Sequence, residues 1–119
     1  KESINNVISI SSNKWRWNIA TGHVEFSPSW CNSLGYEVSE ITPHVDSWQD
    51  MLHPDDFNET FDKLKPHLEG LTPVYLCRNR LRMKNGSWRK NLDVGRVIER
   101  DLQKQPLMME GVDIAFNDL

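Results

Sequence analysis

Asparagine followed by glycine at positions 85 and 86 constrains this chain more than any other pair. Both central residues of a type I′ turn need a positive φ, and Asn-Gly supplies that at low cost, so two strands should meet here. The flanking stretch, Val74 to Glu99, alternates in the way that expectation requires. Before the turn, Tyr75, Cys77, Leu81 and Met83 fall on one side, and Arg78, Arg80, Arg82 and Lys84 on the other. After it, Trp88, Leu92, Val94 and Ile98 share one parity, with Arg89, Asn91, Asp93 and Glu99 opposite. A period of two with one apolar and one charged face predicts a long antiparallel hairpin, apolar side buried and charged side wet. Asn79, Lys90 and Arg96 break the pattern and point to a bulge, placed near Gly95, or to a polar group at a pocket edge.

A chain of 119 residues makes one domain, large enough for a single core. The formal net charge of -3 gives no general attraction to nucleic acid or to an anionic membrane. No apolar run approaches the roughly 18 residues a membrane span needs, and no stretch of these residues reads as a signal peptide. The beginning at Lys1 and the ending at Leu119 read as cuts from something longer. Cys31 and Cys77 are isolated, which fits free thiols in a cytoplasmic protein better than a disulfide framework. The five tryptophans are spread along the chain, as large rings are when they close a small core from several elements at once.

In chain order, residues 1–13 form a polar lead-in or a short helix. Lys14 to Ala20 alternates as a strand, Thr21-Gly22 turns, and His23 to Ser27 pairs back. Ser27-Pro28 opens a short helix carrying Trp30, Cys31 and Leu34, and Gly35 closes it. Tyr36 to Trp48 reads as a loop with short helical turns. His53-Pro54-Asp55-Asp56 starts the main helix, whose apolar stripe is Phe57, Phe61, Leu64 and Leu68, with a kink allowed at Pro66 and an end at Gly70. Pro106 to Phe116 is a last strand, broken at Gly111. The sum is an α+β domain over residues 14–116: a five-stranded antiparallel sheet, with short helices and one longer helix inserted between strands 2 and 3 and packed over one face. Residues 117–119 would begin a linker to an effector.

The sequence Trp15-Arg16-Trp17-Asn18 with Thr21-Gly22 resembles the PAS family of sensor domains, in the branch common in multidomain bacterial signalling proteins. So do Phe26-Ser27-Pro28-Ser29-Trp30, Leu34-Gly35-Tyr36, Trp48 and His53-Pro54-Asp55-Asp56. The hairpin words Arg80-Leu81-Arg82 and Lys84-Asn85-Gly86-Ser87-Trp88-Arg89, and the closing Gly111-Val112-Asp113-Ile114, complete the series. The resemblance implies a PAS fold. Three positions depart from the family's habit: Asn18 where Asp is frequent, Lys90 where an aromatic is frequent, and Ala115 where the closing word usually has Thr. By resemblance, the closing segment with Gly111, Asp113 and Ile114 is the signal exit.

Several side-chain groups invite a chemical reading. His53, Asp55 and Asp56 have the donor types of a metal site, yet Pro and acids there are what a helix start requires. A flavin-adduct cysteine in the light-sensing relatives lies inside an Asn-Cys-Arg-Phe-Leu word, whereas Cys31 is followed by Asn32-Ser33. Both cysteines therefore read as small core residues. A haem would want an axial histidine, and none of His23, His44, His53 and His67 lies where the sequence marks burial; His67 is expected to be exposed. Arg78, Arg80, Arg82 and Lys84 form a basic ridge, read as a solvated face or subunit contact, with Asp93 and Glu99 expected across the strand. No nucleophile with an adjacent base, glycine-rich phosphate loop or paired catalytic acids stands out, so the domain reads as non-enzymatic.

Function then belongs in the interior. Phe26, Trp30, Leu34, Tyr36, Trp48, Leu52, Phe61, Tyr75, Cys77, Leu92 and Val94 are expected to point into one cavity region, which either holds a small organic ligand or is filled by its own side chains. No cofactor and no metal are expected. The leading reading is a cytoplasmic sensory module that regulates a downstream effector in the same chain: a histidine kinase, a diguanylate cyclase or a transcriptional regulator. The other readings are a ligand-free interaction platform and, third, a haem or flavin sensor. Homodimerisation is expected by resemblance, through Ile4 to Ile10 and the outer sheet face, with no nucleic-acid contact by this domain.

Overall fold

A computed structural model describes residues 13–116. The segment expected as a polar lead-in or short helix (apart from Asn13), the Ile4–Ile10 dimer surface and the linker expected at 117–119 lie outside the described residues. Strand β1 (Lys14–Asn18) turns back into β2 (Val24–Phe26). Three helices follow: α1 (Pro28–Ser33), α2 (Val45–Met51) and α3 (Phe57–Leu68). The chain ends in β3 (Tyr75–Arg82), β4 (Trp88–Arg100) and β5 (Pro106–Ala115). The sheet is antiparallel in the order β2-β1-β5-β4-β3, so the last strand sits at its centre beside the first. Among the described residues, no helix is long and apolar enough to cross a membrane.

Local chemistry explains the helix ends. Ser27 Oγ accepts from the Trp30 N–H at 3.2 Å, with Pro28 in the first turn. His44 and His53 do the same work through Nδ1, accepting from the Asp46 N–H at 3.1 Å and the Asp55 N–H at 3.0 Å. The His53 word is therefore a cap on a single 3₁₀ turn, Pro54–Asp56, that leads into α3. Helix α2 begins inside the segment expected to be loop, and it places Trp48 on a helix. Gly35 and Gly86 both have φ of +91°. Asn85 does not have a positive φ, so the hairpin turn is not the expected type I′. The Gly86 N–H instead donates to the Met83 carbonyl, and only the glycine takes the left-handed conformation.

The helices cover one face of the sheet with two clusters. Trp30, Cys31, Leu34, Ile41, Met51, Leu52 and Leu81 form the first, joined by Tyr36 and Trp48. Leu64, Tyr75, Cys77 and Met109 form the second, and Trp15 and Phe61 pack against both.

Strand β4 departs from its sequence reading. Cys77 faces Asp93, Asn79 faces Asn91 and Leu81 faces Arg89 across the β3–β4 ladder, and directly opposed residues share a face. The inward row of β4 is thus Arg89, Asn91 and Asp93, while Trp88, Leu92 and Val94 lie on the other face. The polar residues go inward because they bond to one another and to the helices, as described below. Val94 faces Val112 on the outer side and is itself buried.

Nor is there a bulge at Gly95. The register runs unbroken through Gly95 opposite Tyr75 and Gly111, and it shifts instead between Val97 and Arg100. Gly95 and Gly111 are glycines because the Trp15 ring lies on them: a Cβ built on Gly111 would stand 2.3 Å from that ring and 2.1 Å from the Val94 carbonyl oxygen. Strand β5 accordingly continues through Gly111 without a break.

Candidate functional site

Trp15 and Trp17 alternate inward on β1, and Trp30 and Trp48 come down from α1 and α2. Together with Val24, Phe26, Val45, Leu64, Tyr75, Asp93 and Met109 they line a partly open cavity of about 40 Å³ between sheet and helices. The wall is aromatic because each element turns a large ring to the same interior; Phe26 and Trp30 stack with centroids 4.1 Å apart.

Polar groups back this wall on the β3–β4–β5 side. The Tyr75 hydroxyl donates to Asp93 Oδ2 at 3.0 Å, and the Trp30 indole N–H donates to Asp113 Oδ2 at 2.6 Å. Asp93 and Asp113 face one another across β4 and β5, and both are buried. Burial, and next the Asp113 charge, pushes the Asp93 carboxyl well above the usual carboxylate range. Burial and the Asp93 charge push the Tyr75 phenol up as well. Farther along, Asn91 Nδ2 donates to Asn79 Oδ1 at 3.1 Å, and Asn79 Nδ2 to Thr60 Oγ1 of α3 at 3.4 Å. Arg89 donates to Ser33 Oγ on α1 and to Asn91 Oδ1. Burial lowers the Arg89 pKa, and the Asp113 charge acts against that shift. The chain of bonds thereby ties α1 and α3 to the sheet.

Of the residues expected around the cavity, Phe26, Trp30, Trp48 and Tyr75 line it. Leu34, Tyr36, Leu52, Phe61 and Cys77 pack in the adjoining clusters. Leu92 and Val94 do not belong to this face, for the register reason given above. Trp15, Trp17, Val24, Val45, Leu64, Asp93 and Met109 were missed. The alternation of Trp15 and Trp17 already carried the signal for two of them, but nothing in the strand pattern marked Asp93 as internal. At the exit segment, Gly111 and Asp113 face inward opposite Gly95 and Asp93, while Ile114 lies opposite Leu92 on the outer face.

His67 is a second correction. It is 3% exposed. The Val97 N–H donates to Nε2 at 2.9 Å, so Nδ1 carries the hydrogen that it donates to the Thr72 carbonyl at 2.9 Å. Two of the four residues of the basic ridge are held in ion pairs. Arg80 binds Asp56 through both its backbone and its guanidinium, and Lys84 Nζ lies 2.6 Å from Glu40. Asp93, expected across from that ridge, is in the interior. Cys31 and Cys77 are both free and buried. Among the described residues, no three His, Cys, Asp or Glu side chains are grouped as a metal site.

The PAS fold family model matches residues 23–113. No curated protein matches the chain. Among solved structures, a sensory box histidine kinase/response regulator from Burkholderia thailandensis superposes with a TM-score of 0.77 at 28% identity, covering 93% of this chain and 82% of that one. The N-terminal domain of a diguanylate cyclase with a PAS/PAC sensor from Marinobacter aquaeolei gives 0.73 at 21% identity, covering 86% and 92%. The PAS-B domain of Drosophila melanogaster Cycle, with bound ethylene glycol, gives 0.70 at 15% identity over 87% of this chain and 98% of that one. The last two likenesses concern the fold alone.

Proposed function

Since the chain belongs to the PAS-fold family, we propose that it is a sensory module in which a small ligand held between sheet and helices biases an effector in the same protein. One observation carries the reading. The cavity wall and the central strand β5 share a buried link, Trp30 Nε1 to Asp113 Oδ2, so a shift of α1 over an occupied cavity pulls directly on β5. A ligand acts only by binding two arrangements unequally, and a helix tied to a strand by one charge-assisted bond offers such a pair of arrangements. The domain has no chemistry of its own in this reading. A histidine kinase or diguanylate cyclase as effector is supported by the company kept by the similar sensor domains. Homodimerisation completes the proposal: light scattering at micromolar concentration, with the natural flanks present, should give a dimer, and a monomer would count against it.

The test is to denature freshly purified protein, identify what is released by mass spectrometry, and record the absorption spectrum beforehand. One small colourless molecule released in stoichiometric amount is the expected result. A flavin or haem spectrum would replace this reading with a cofactor sensor. A ligand-free platform is the second reading, favoured by the small free volume of the cavity. It would gain if nothing is released and no compound in a broad small-molecule library raises the melting temperature.

A further inference from the structure

The cavity offers a guest nothing to bond with. Its wall is almost wholly apolar, and four of its lining residues are tryptophans. The polar atoms that the lining residues carry are turned into the protein. The Trp30 N–H donates to Asp113 Oδ2, the Tyr75 hydroxyl donates to Asp93 Oδ2, and the Asp93 and Asp113 carboxyls are hydrogen-bonded to each other. Asp93 Oδ1 and the Trp17 indole nitrogen are covered as well and present no surface to the space.

A guest with a charge or a hydrogen-bonding group would therefore leave its water shell and gain no partner in exchange. Water itself is poorly held, because a buried water needs about two to four polar partners. A guest without such groups has no bonds to lose. It gains contact with ring faces and with Met109, whose flexible thioether adapts to the shape beside it.

Size and access narrow the class further. The free volume of about 40 Å³ is roughly three times what one water needs, which suits a molecule of about three or four non-hydrogen atoms, or one large atom such as xenon. The half-buried members of the wall are Trp15, Trp17 and Phe26 on the first hairpin and Val45 and Trp48 on α2, so the space opens between hairpin and helix. The same two elements are fastened at one end, where the Val45 N–H donates to the Gly22 carbonyl at 2.8 Å.

We propose that the cavity takes a small uncharged apolar molecule, which enters between the first hairpin and α2 and rests on the tryptophan faces without a hydrogen bond to the protein. This rests on the sensory reading above and names its ligand class.

Isotope-labelled protein gives one indole N–H signal per tryptophan in NMR spectra. Four of them report on the cavity, and Trp88, stacked on His53 and outside the wall, is the control. The 119-residue chain is titrated with xenon, dichloromethane, ethanol, ethylammonium and acetate. Xenon and dichloromethane should shift the signals of Trp15, Trp17, Trp30 and Trp48 saturably and leave Trp88 in place. The three polar probes, similar in size to dichloromethane, should bind at least about tenfold more weakly. Leu64→Phe, which puts a ring toward the free volume, should abolish the shifts; if that variant does not fold, Val45→Leu at the rim should weaken them. A polar probe that binds as well as dichloromethane, a Trp88 signal that moves with the other four, or a filled variant that binds like the parent chain would overturn the inference and leave the sensory reading standing. If neither apolar probe moves the four signals, the inference falls. The sensory reading falls with it only if a broad library also fails to raise the melting temperature.

Discussion

The indole N–H of Trp30 donates to Asp113 Oδ2 at 2.6 Å, joining residues 83 positions apart in the chain. Both side chains are almost fully buried, so the carboxylate depends on that donor in place of water. Trp30→Phe keeps most of the ring but removes the N–H and leaves a gap beside Phe26. The cost should be about 3 kcal/mol, the sum of a buried charged acceptor losing its donor and a small cavity. Urea unfolding midpoints with an unchanged m-value measure it. A loss well under about 1 kcal/mol would mean that the bond is replaced by another group.

Gly111 in β5 and Gly86 in the turn between β3 and β4 are glycines for different reasons. Gly111→Ala should cost about 3 kcal/mol or more, because the new methyl meets the Val94 carbonyl and the Trp15 ring, both held by the sheet. Gly86→Ala meets open space and pays only for its positive φ, about 1 kcal/mol. Thermal melts of the two variants should therefore separate widely. Equal shifts would show that the Trp15 ring moves aside freely.

These two positions also show what the sequence carries and what it does not. Asn85-Gly86 announces a turn because the preference for a positive φ is local to the glycine, although Asn85 does not share it. Caps at Ser27 and His53, and the stripe of Phe61, Leu64 and Leu68, are equally local, so element order and fold class were legible. The facing of β4 was not. Period-two reading sends apolar residues inward, yet Arg89, Asn91 and Asp93 go in because Ser33, Asn79 and Tyr75 wait there with partners from distant parts of the chain. Asn79 on the inner row of β3 was the one local hint. His67 was misread for the same reason: its burial depends on Thr72 and Val97, which helix periodicity cannot report.

His67 gives a pH test whose sign follows from its bonds. Burial holds its pKa below the usual value of 6.5, with the Thr72 carbonyl acting against that shift. The native ring stays neutral while the unfolded chain takes up a proton, so stability present above about pH 6.5 is lost as pH falls through the native pKa. His67→Gln should remove that acid-side loss and, by misplacing partners for Val97 and Thr72, cost about 2 kcal/mol at pH 7.5. Melting curves at several pH values between 5 and 7.5 read both effects. A variant as pH-sensitive as the parent chain would assign the acid loss to another group.

Asp93 predicts the opposite slope. Its native pKa is raised, chiefly by burial and then by Asp113, so the folded protein holds a proton that the unfolded chain releases near pH 4. Stability from this group is full below that point and declines as pH rises toward the native pKa. Asp93→Asn keeps the size of the side chain and an acceptor for the Tyr75 hydroxyl while removing the titration. Measured from pH 4 to 8, the melting temperature of the variant should gain steadily on that of the parent chain and exceed it at the alkaline end. Because His67 is present in both proteins, its own contribution cancels in the difference. A difference that stays constant with pH would mean that Asp93 is ionised in the native state, and the counter-charge it then requires would have to be sought among the groups already in the protein.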